Sequence, residues 1–280
     1  MSTRVLPLTL LAATLACGCA GRGNLNPSFA VTTTEARDAL REMARSPRLL
    51  ERPVVILGGL NDPGFGPGYL AAQVRRVSGD RRVMIFTFGP FESLDACGRR
   101  IARDVQRRFP GDDPLSTAEV DVVAVSMGGV VARAAAAPAG PNPSPKLRIA
   151  RLFTISSPHR GAAMARWPAL PIPGHVQTDL RPGSSFLRTL AEREVAAADY
   201  ETRAYVRLGD RIVGQANASR EGEPPHWLST PPLEDPHHFA FRDPRIVADI
   251  VRRLRGEPPF ATDPPEPLPH SSPLPPGGEG

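Results

Sequence analysis

Of the 34 basic residues in this 280-residue chain only one, Lys146, is a lysine, and the 29 acidic residues are scattered along the whole length, leaving a net charge of +5. No basic block stands out. Pairs such as Arg75-Arg76, Arg81-Arg82, Arg99-Arg100 and Arg107-Arg108 fall on predicted solvent faces, and aromatic residues, 6% of the chain, do not alternate with them. A base-stacking platform is therefore missing, and nucleic acid is not an expected partner. Cysteine is as scarce, with three residues, two of them at positions 17 and 19. Only Cys97 is left in the body of the chain, so no internal disulfide framework is available. No cysteine pair or His-x-x-x-His is present, and the adjacent His237 and His238 with Asp210 and Asp235 make a poor ligand set, so no metal is expected. No Gly-x-Gly-x-x-Gly opens a helix, so no dinucleotide or other cofactor is expected either. The longest apolar run, Val5 to Ala16, is too short to span a bilayer as a stable helix.

What is abundant is apolar surface, at 41% of residues, together with 33 prolines and 25 glycines. The apolar share supports a substantial core, and the absence of a Gly/Pro period excludes collagen. Nine of the prolines fall between Glu257 and Gly280. That composition predicts a disordered tail over 257–280.

The N-terminus has one positive charge at Arg4, the apolar run, and then Cys17-Gly-Cys19-Ala-Gly21. These are the parts of an export signal over 1–19. The cysteines followed by small residues resemble a bacterial lipoprotein signal, so the expectations are a secreted protein or one held in the cell envelope by a lipidated Cys17 or Cys19. An N-terminal segment with a helix follows over 20–52.

From residue 53 two periods alternate. Short β-branched runs at Val54–Leu57, Val83–Phe88, Val120–Val125, Ile149–Ile155 and Ala204–Leu208 predict buried strands. Helices are predicted at Glu35–Arg45 behind a Thr34 cap, at Tyr69–Val77, Leu94–Phe109 and Met127–Ala137, and at Arg245–Arg255 behind Asp243-Pro244. Continuous apolar strands alternating with helices imply an α/β domain over 53–256, with a mostly parallel central sheet covered on both faces. The stretch 162–185 interrupts the rhythm as a cap-like or lid-like insertion.

In such a sheet the chemistry sits at the carboxyl ends of the strands. The third strand runs through Ala124-Val125-Ser126-Met127-Gly128-Gly129 directly into a helix, with small residues two before and two after the serine. A nucleophile raised on a sharp strand-to-helix turn needs that spacing, and the helix aims its free N–H groups at the serine. At this point the sequence resembles the α/β-hydrolase fold, and within it lipase and esterase relatives whose nucleophile elbow reads Gly-x-Ser-x-Gly or Ala-x-Ser-x-Gly. The resemblance implies a serine hydrolase and names Ser126 as nucleophile.

Further loops extend the resemblance over roughly Pro53 to Leu254. Leu57-Gly58-Gly59-Leu60 stands where relatives carry the oxyanion loop, which implies the N–H groups of Leu60 and Met127 as oxyanion donors. A phosphate loop is the rival there, but no Gly-Lys-Ser/Thr follows. Ser157-Pro158-His159-Arg160-Gly161 resembles a pocket-wall motif, and His159 precedes the acid in sequence, against the fold's order of Ser, Asp, His. Gly209-Asp210-Arg211-Ile212-Val213 resembles the acid loop and points to Asp210. The base is implied in Asp235-Pro236-His237-His238, where the distance to Pro244 selects His237, with His238 as the alternative. The expected function is hydrolysis of carboxylic esters, with hydrophobic acyl or lipid esters as substrate and a preference for medium or long chains. A non-catalytic binding protein on the same scaffold, or an acyltransferase using the same triad, are the alternatives.

Overall fold

The computed structural model describes residues 26–137, 144–167, 174–195 and 200–269. The predicted leader over 1–19 and the last eleven residues lie outside the described residues. Six strands form one sheet: β1 (Val54–Leu60), β2 (Val83–Phe88), β3 (Val120–Val125), β4 (Ile149–Ile155), β5 (Glu201–Arg207) and β6 (His226–Leu228). Their spatial order is β2-β1-β3-β4-β5-β6, and every neighbouring pair is parallel.

Burial on both faces explains why the central strands β1 and β3 read as nearly unbroken apolar runs. Side chains alternate along each strand. Val55 and Leu57 of β1 and Val120, Val122 and Ala124 of β3 enter one core, together with Leu94, Ile101 and Val105 of α3 (Leu94–Arg108) and Val130 and Val131 of α4 (Met127–Ala136). Leu187 and Leu190 of α6 (Ser185–Val195) close that core. Val54 and Ile56, with Val123 and Val125, enter the opposite core beneath α1 (Thr33–Arg45), α2 (Phe65–Ser78) and α7 (Pro244–Leu254). A short helix, α5 (Gly174–Asp179), buries Val176 in the first core.

Several boundaries differ from the expected ones for local reasons. The cap of α1 is Thr32, not Thr34. A capping box needs an acidic partner three residues on, and Glu35 stands there for Thr32: its carboxylate accepts the Thr32 N–H at 2.8 Å while Thr32 Oγ1 accepts the Glu35 N–H at 3.2 Å. Strand β1 continues through Gly58-Gly59-Leu60, and α2 starts four residues early, behind Gly64 at φ +112°. The segment 26–52 is not set apart from the 53–256 domain, because Phe29, Leu40, Met43 and Leu50 are buried in the second core.

The expected disordered tail is corrected over its first half. Residues 257–269 are strapped to the body by backbone hydrogen bonds, with Ala261 buried in the second core and Asp263 paired with Arg203. The Phe260 and Ala261 N–H groups donate to Asp249 Oδ1 at 2.6 and 2.7 Å, the Thr262 N–H to the Ser28 carbonyl at 2.8 Å, and Trp227 Nε1 to the Glu266 carbonyl at 2.9 Å.

Candidate active site

The order of the strands reverses at β1, which has β2 on one side and β3 on the other. Loops that leave the carboxyl ends of β1 and β3 therefore run to opposite faces and leave a crevice between them. Ser126 stands at this point, between the last residue of β3 and the first of α4. Its backbone is at φ 51°, ψ −126°, a region that non-glycine residues avoid and that costs of order 1–3 kcal/mol to hold. Two contacts hold it. The Ser126 N–H donates to the Ile155 carbonyl at 2.9 Å, and its carbonyl accepts the Gly129 N–H at 3.1 Å.

Small residues permit the turn. A Cβ on Gly128 would lie 2.6 Å from the Gly58 carbonyl oxygen, and one on Gly129 would lie 2.3 Å from Ser157 Oγ. Gly59 faces the serine itself, since a Cβ there would touch Ser126 Cβ at 3.4 Å and lie 3.9 Å from Oγ. The next residue, Leu60, ends β1, and Met127 is the first residue of α4, where a helix has N–H groups without intrahelical partners.

His237 Nε2 lies 3.1 Å from Ser126 Oγ, and its Nδ1 lies 2.9 Å from Asp210 Oδ2. The other oxygen of Asp210 accepts the N–H groups of Ile212 and Val213, both at 3.0 Å. These two donors orient the carboxylate, and with Asp210 accepting at Nδ1 the imidazole carries its proton there and turns Nε2 to the serine hydroxyl. Ser126, half-buried, is reachable, whereas Asp210 and His237 are buried.

Two histidines named by the sequence lie elsewhere. His238 is exposed, with its Nδ1 3.1 Å from Asp235 Oδ1. Asp235 Oδ1 also accepts the N–H groups of His237 and His238 at 2.9 and 2.6 Å, an Asx-type turn that sends the adjacent rings in different directions. His159 is buried, with Nε2 3.0 Å from Thr154 Oγ1, and its carbonyl accepts from Arg133 Nη1 at 3.1 Å. Burial first, and then the Arg133 and Arg220 charges, push its pKa well down, so it is a neutral wall residue.

The insertion is tied to the acid loop: the Ala163 and Met164 N–H groups donate to the Val213 and Ile212 carbonyls at 2.9 and 3.0 Å. Its 168–173 portion lies outside the described residues. Among the described residues no group of three or more His, Cys, Asp or Glu is placed to hold a metal ion, and no helix is long and apolar enough to cross a membrane.

Reading from sequence missed Arg207. It lies inside the Ala204–Leu208 strand run, but nothing in an apolar strand pattern marks a guanidinium as fully buried.

No protein-family model matches the sequence, and no curated protein matches it. Solved structures do match in shape. The lipase BlEst2 of Bacillus licheniformis superposes with a TM-score of 0.53 at 17% identity, covering 75% of this chain and 94% of that one. The phospholipase PlaB of Legionella pneumophila superposes with a TM-score of 0.50 at 14% identity, covering 75% of this chain and 59% of that one. The parallel six-stranded sheet, the helices on both its faces and these structural neighbours establish that the chain has the α/β-hydrolase fold.

Proposed function

We propose that the protein is a serine hydrolase acting on carboxylic esters through an acyl-enzyme. The observation that carries this reading is the continuous chain Ser126 Oγ, His237, Asp210, with contacts of 3.1 and 2.9 Å, at the carboxyl edge of the sheet. In acylation, His237 Nε2 takes the Ser126 proton as Oγ attacks the ester carbonyl. The N–H groups of Leu60 and Met127 receive the oxyanion, and the imidazolium is stabilised by Asp210. Collapse expels the alcohol, protonated by His237. Water, deprotonated by the same nitrogen, then attacks the acyl carbon and releases the acid and free Ser126.

The test is Ser126→Ala, which should lower hydrolysis of a p-nitrophenyl ester by several powers of ten and abolish fluorophosphonate labelling. An unlabelled wild type that is nonetheless folded would favour a binding protein on this scaffold.

The reading extends to hydrophobic acyl esters. Phe65, Phe91, Met164, Trp167 and Leu233 are large apolar side chains left exposed, all on segments that follow the carboxyl ends of β1, β2, β4 and β6. Each methylene moved from water onto apolar walls contributes about 0.8 kcal/mol, roughly a fourfold gain in kcat/KM per carbon until the groove is filled. A series from acetate to palmitate should rise toward medium or long chains, and a steady fall from acetate onward rejects this part while leaving the triad intact. The reading also places the protein outside the cytoplasm, secreted or held through a lipidated Cys17 or Cys19. The mass of the mature N-terminus distinguishes the two.

A further inference from the structure

Arg207 ends β5 with its side chain wholly buried, at 0% exposure. Nη2 donates to Glu234 Oε2 at 2.6 Å, and Nε lies 3.5 Å from Asp243 Oδ2. Among the described residues Nε and Nη1 have no hydrogen-bond partner. A desolvated guanidinium satisfied at only one of its three nitrogens is a costly way to stabilise a fold, and an apolar side chain of similar volume would serve stability as well or better.

Neither carboxylate depends on it. Asp243 caps α7 and keeps Arg245, which donates from Nε at 2.9 Å and from Nη2 at 2.7 Å. Glu234 has a side chain 42% exposed, so water can solvate it. What Arg207 alone does is join the two. Glu234 and Asp243 bracket residues 235–242, the segment that carries His237. Within the segment the hydrogen bonds are local, from Asp235 Oδ1 to the next residues and from the Ala240 N–H to the His237 carbonyl at 3.3 Å. Its other ties to the body are the His237 contacts with Asp210 and Ser126, Ala240 buried in the second core, and the packing of Phe241 on Tyr69, with ring centroids 5.9 Å apart; all of these lie inside the segment, whereas Arg207 holds its two ends. Arg207 also lies three residues before Asp210, so the end of one strand carries both the clamp on the His237 segment and the carboxylate that orients the imidazole.

We infer that Arg207 is a positioning residue. By bridging Glu234 and Asp243 it fixes the span of the 235–242 loop and holds His237 Nε2 within hydrogen-bond reach of Ser126 Oγ. The inference rests on the triad reading above. A base displaced by about an ångström costs up to roughly 100-fold in rate without altering how substrate is bound.

The test uses the full chain with Arg207→Met, which removes the charge, retains most of the volume and strands no buried carboxylate. Thermal midpoint, kcat, KM and the rate of fluorophosphonate labelling of Ser126 are measured together. Expected is a fall of about 10- to 100-fold in kcat and in labelling rate, with KM within about twofold and the thermal midpoint retained. Arg207→Lys should recover part of the loss. Glu234→Gln, a change on the exposed end of the clamp, should lower kcat about fivefold in a fully folded protein, and it decides the matter if Arg207→Met does not fold. Wild-type kcat in either folded variant overturns the inference, as does a kcat loss that only tracks a loss of stability. A Ser126→Ala variant as active as wild type overturns the triad reading and this inference together, whereas loss in Ser126→Ala with full activity in the clamp variants overturns this inference alone.

Discussion

At the level of single residues the site depends on what is left out as much as on what is present. Ser126 holds a strained conformation because β1 and α4 approach without side chains between them, and Gly128 is the point of closest approach. Its missing Cβ would meet the Gly58 and Leu57 carbonyl oxygens at 2.6 and 2.9 Å, both backbone atoms that move only with the strand. Gly128→Ala should therefore destabilise the fold by about 1–3 kcal/mol through overpacking, and the end of β1, with Leu60, should shift away from Ser126. Urea denaturation and ester hydrolysis check both, and an alanine variant with wild-type stability and rate would show that the two elements can separate freely. The same serine-to-helix spacing is what made the sharp turn at Ser126 readable without coordinates. Between His237 and His238 only the spacing to Pro244 favoured the first, because adjacent residues of one kind differ only in direction, and direction is set by the turn around Asp235.

Among the elements, legibility follows burial. Strands β2, β3 and β4 have the bounds their apolar runs mark, and β3, buried at every residue, has no exposed side to blur its ends. Strand β6 escaped notice because it is three residues long and sits at the sheet edge, and α6 because no length of regular apolar spacing marks it. The C-terminal strap failed for a different reason: proline-rich composition reports how little side-chain surface can be buried, not whether backbone N–H groups find partners. Here Asp249, fully buried, takes two of them on Oδ1, while its Oδ2 accepts from the Tyr205 hydroxyl at 2.7 Å and Arg253 Nε at 2.9 Å. Truncation after Gly256 removes both N–H donors, takes Ala261 out of the second core and leaves Trp227 Nε1 without the Glu266 carbonyl. A loss of about 2–4 kcal/mol is expected, given that hydrogen bonds to charged groups contribute about 1.5–3 kcal/mol each and water replaces part of them. The urea midpoint measures it, and an unchanged midpoint would mean that the strap only lies on the surface.

Over the whole molecule, stability should depend on acid through histidines that the fold keeps neutral. His226 is buried against Phe29 and Tyr205, neither of its ring nitrogens has a hydrogen-bond partner among the described residues, and the nearest carboxylate oxygen, Asp263 Oδ1, is 3.6 Å away. Burial, the largest influence on it, lowers its pKa to about 4. The unfolded chain takes up this proton near the ordinary histidine value of about 6.5. As pH falls from about 6.5 to 4, therefore, the unfolded state binds a proton that the folded state refuses, and stability that is fully present above neutrality is lost. The carboxylates held low, such as Glu194 beside Arg133 and Arg220, act in the same direction but at more acidic pH, below their ordinary unfolded values. The window between pH 7 and 5 thus belongs to the buried histidines. For His226 the loss across it is about 2 kcal/mol. His226→Phe keeps an aromatic ring between Phe29 and Tyr205 and strands no hydrogen-bond partner, so the variant should fold and should lose about 2 kcal/mol less than wild type between pH 7 and 5 in urea denaturation. Equal losses in the two proteins would show that water or a shift of Asp263 admits the proton to the folded state, and that His226 is not what makes this fold sensitive to mild acid.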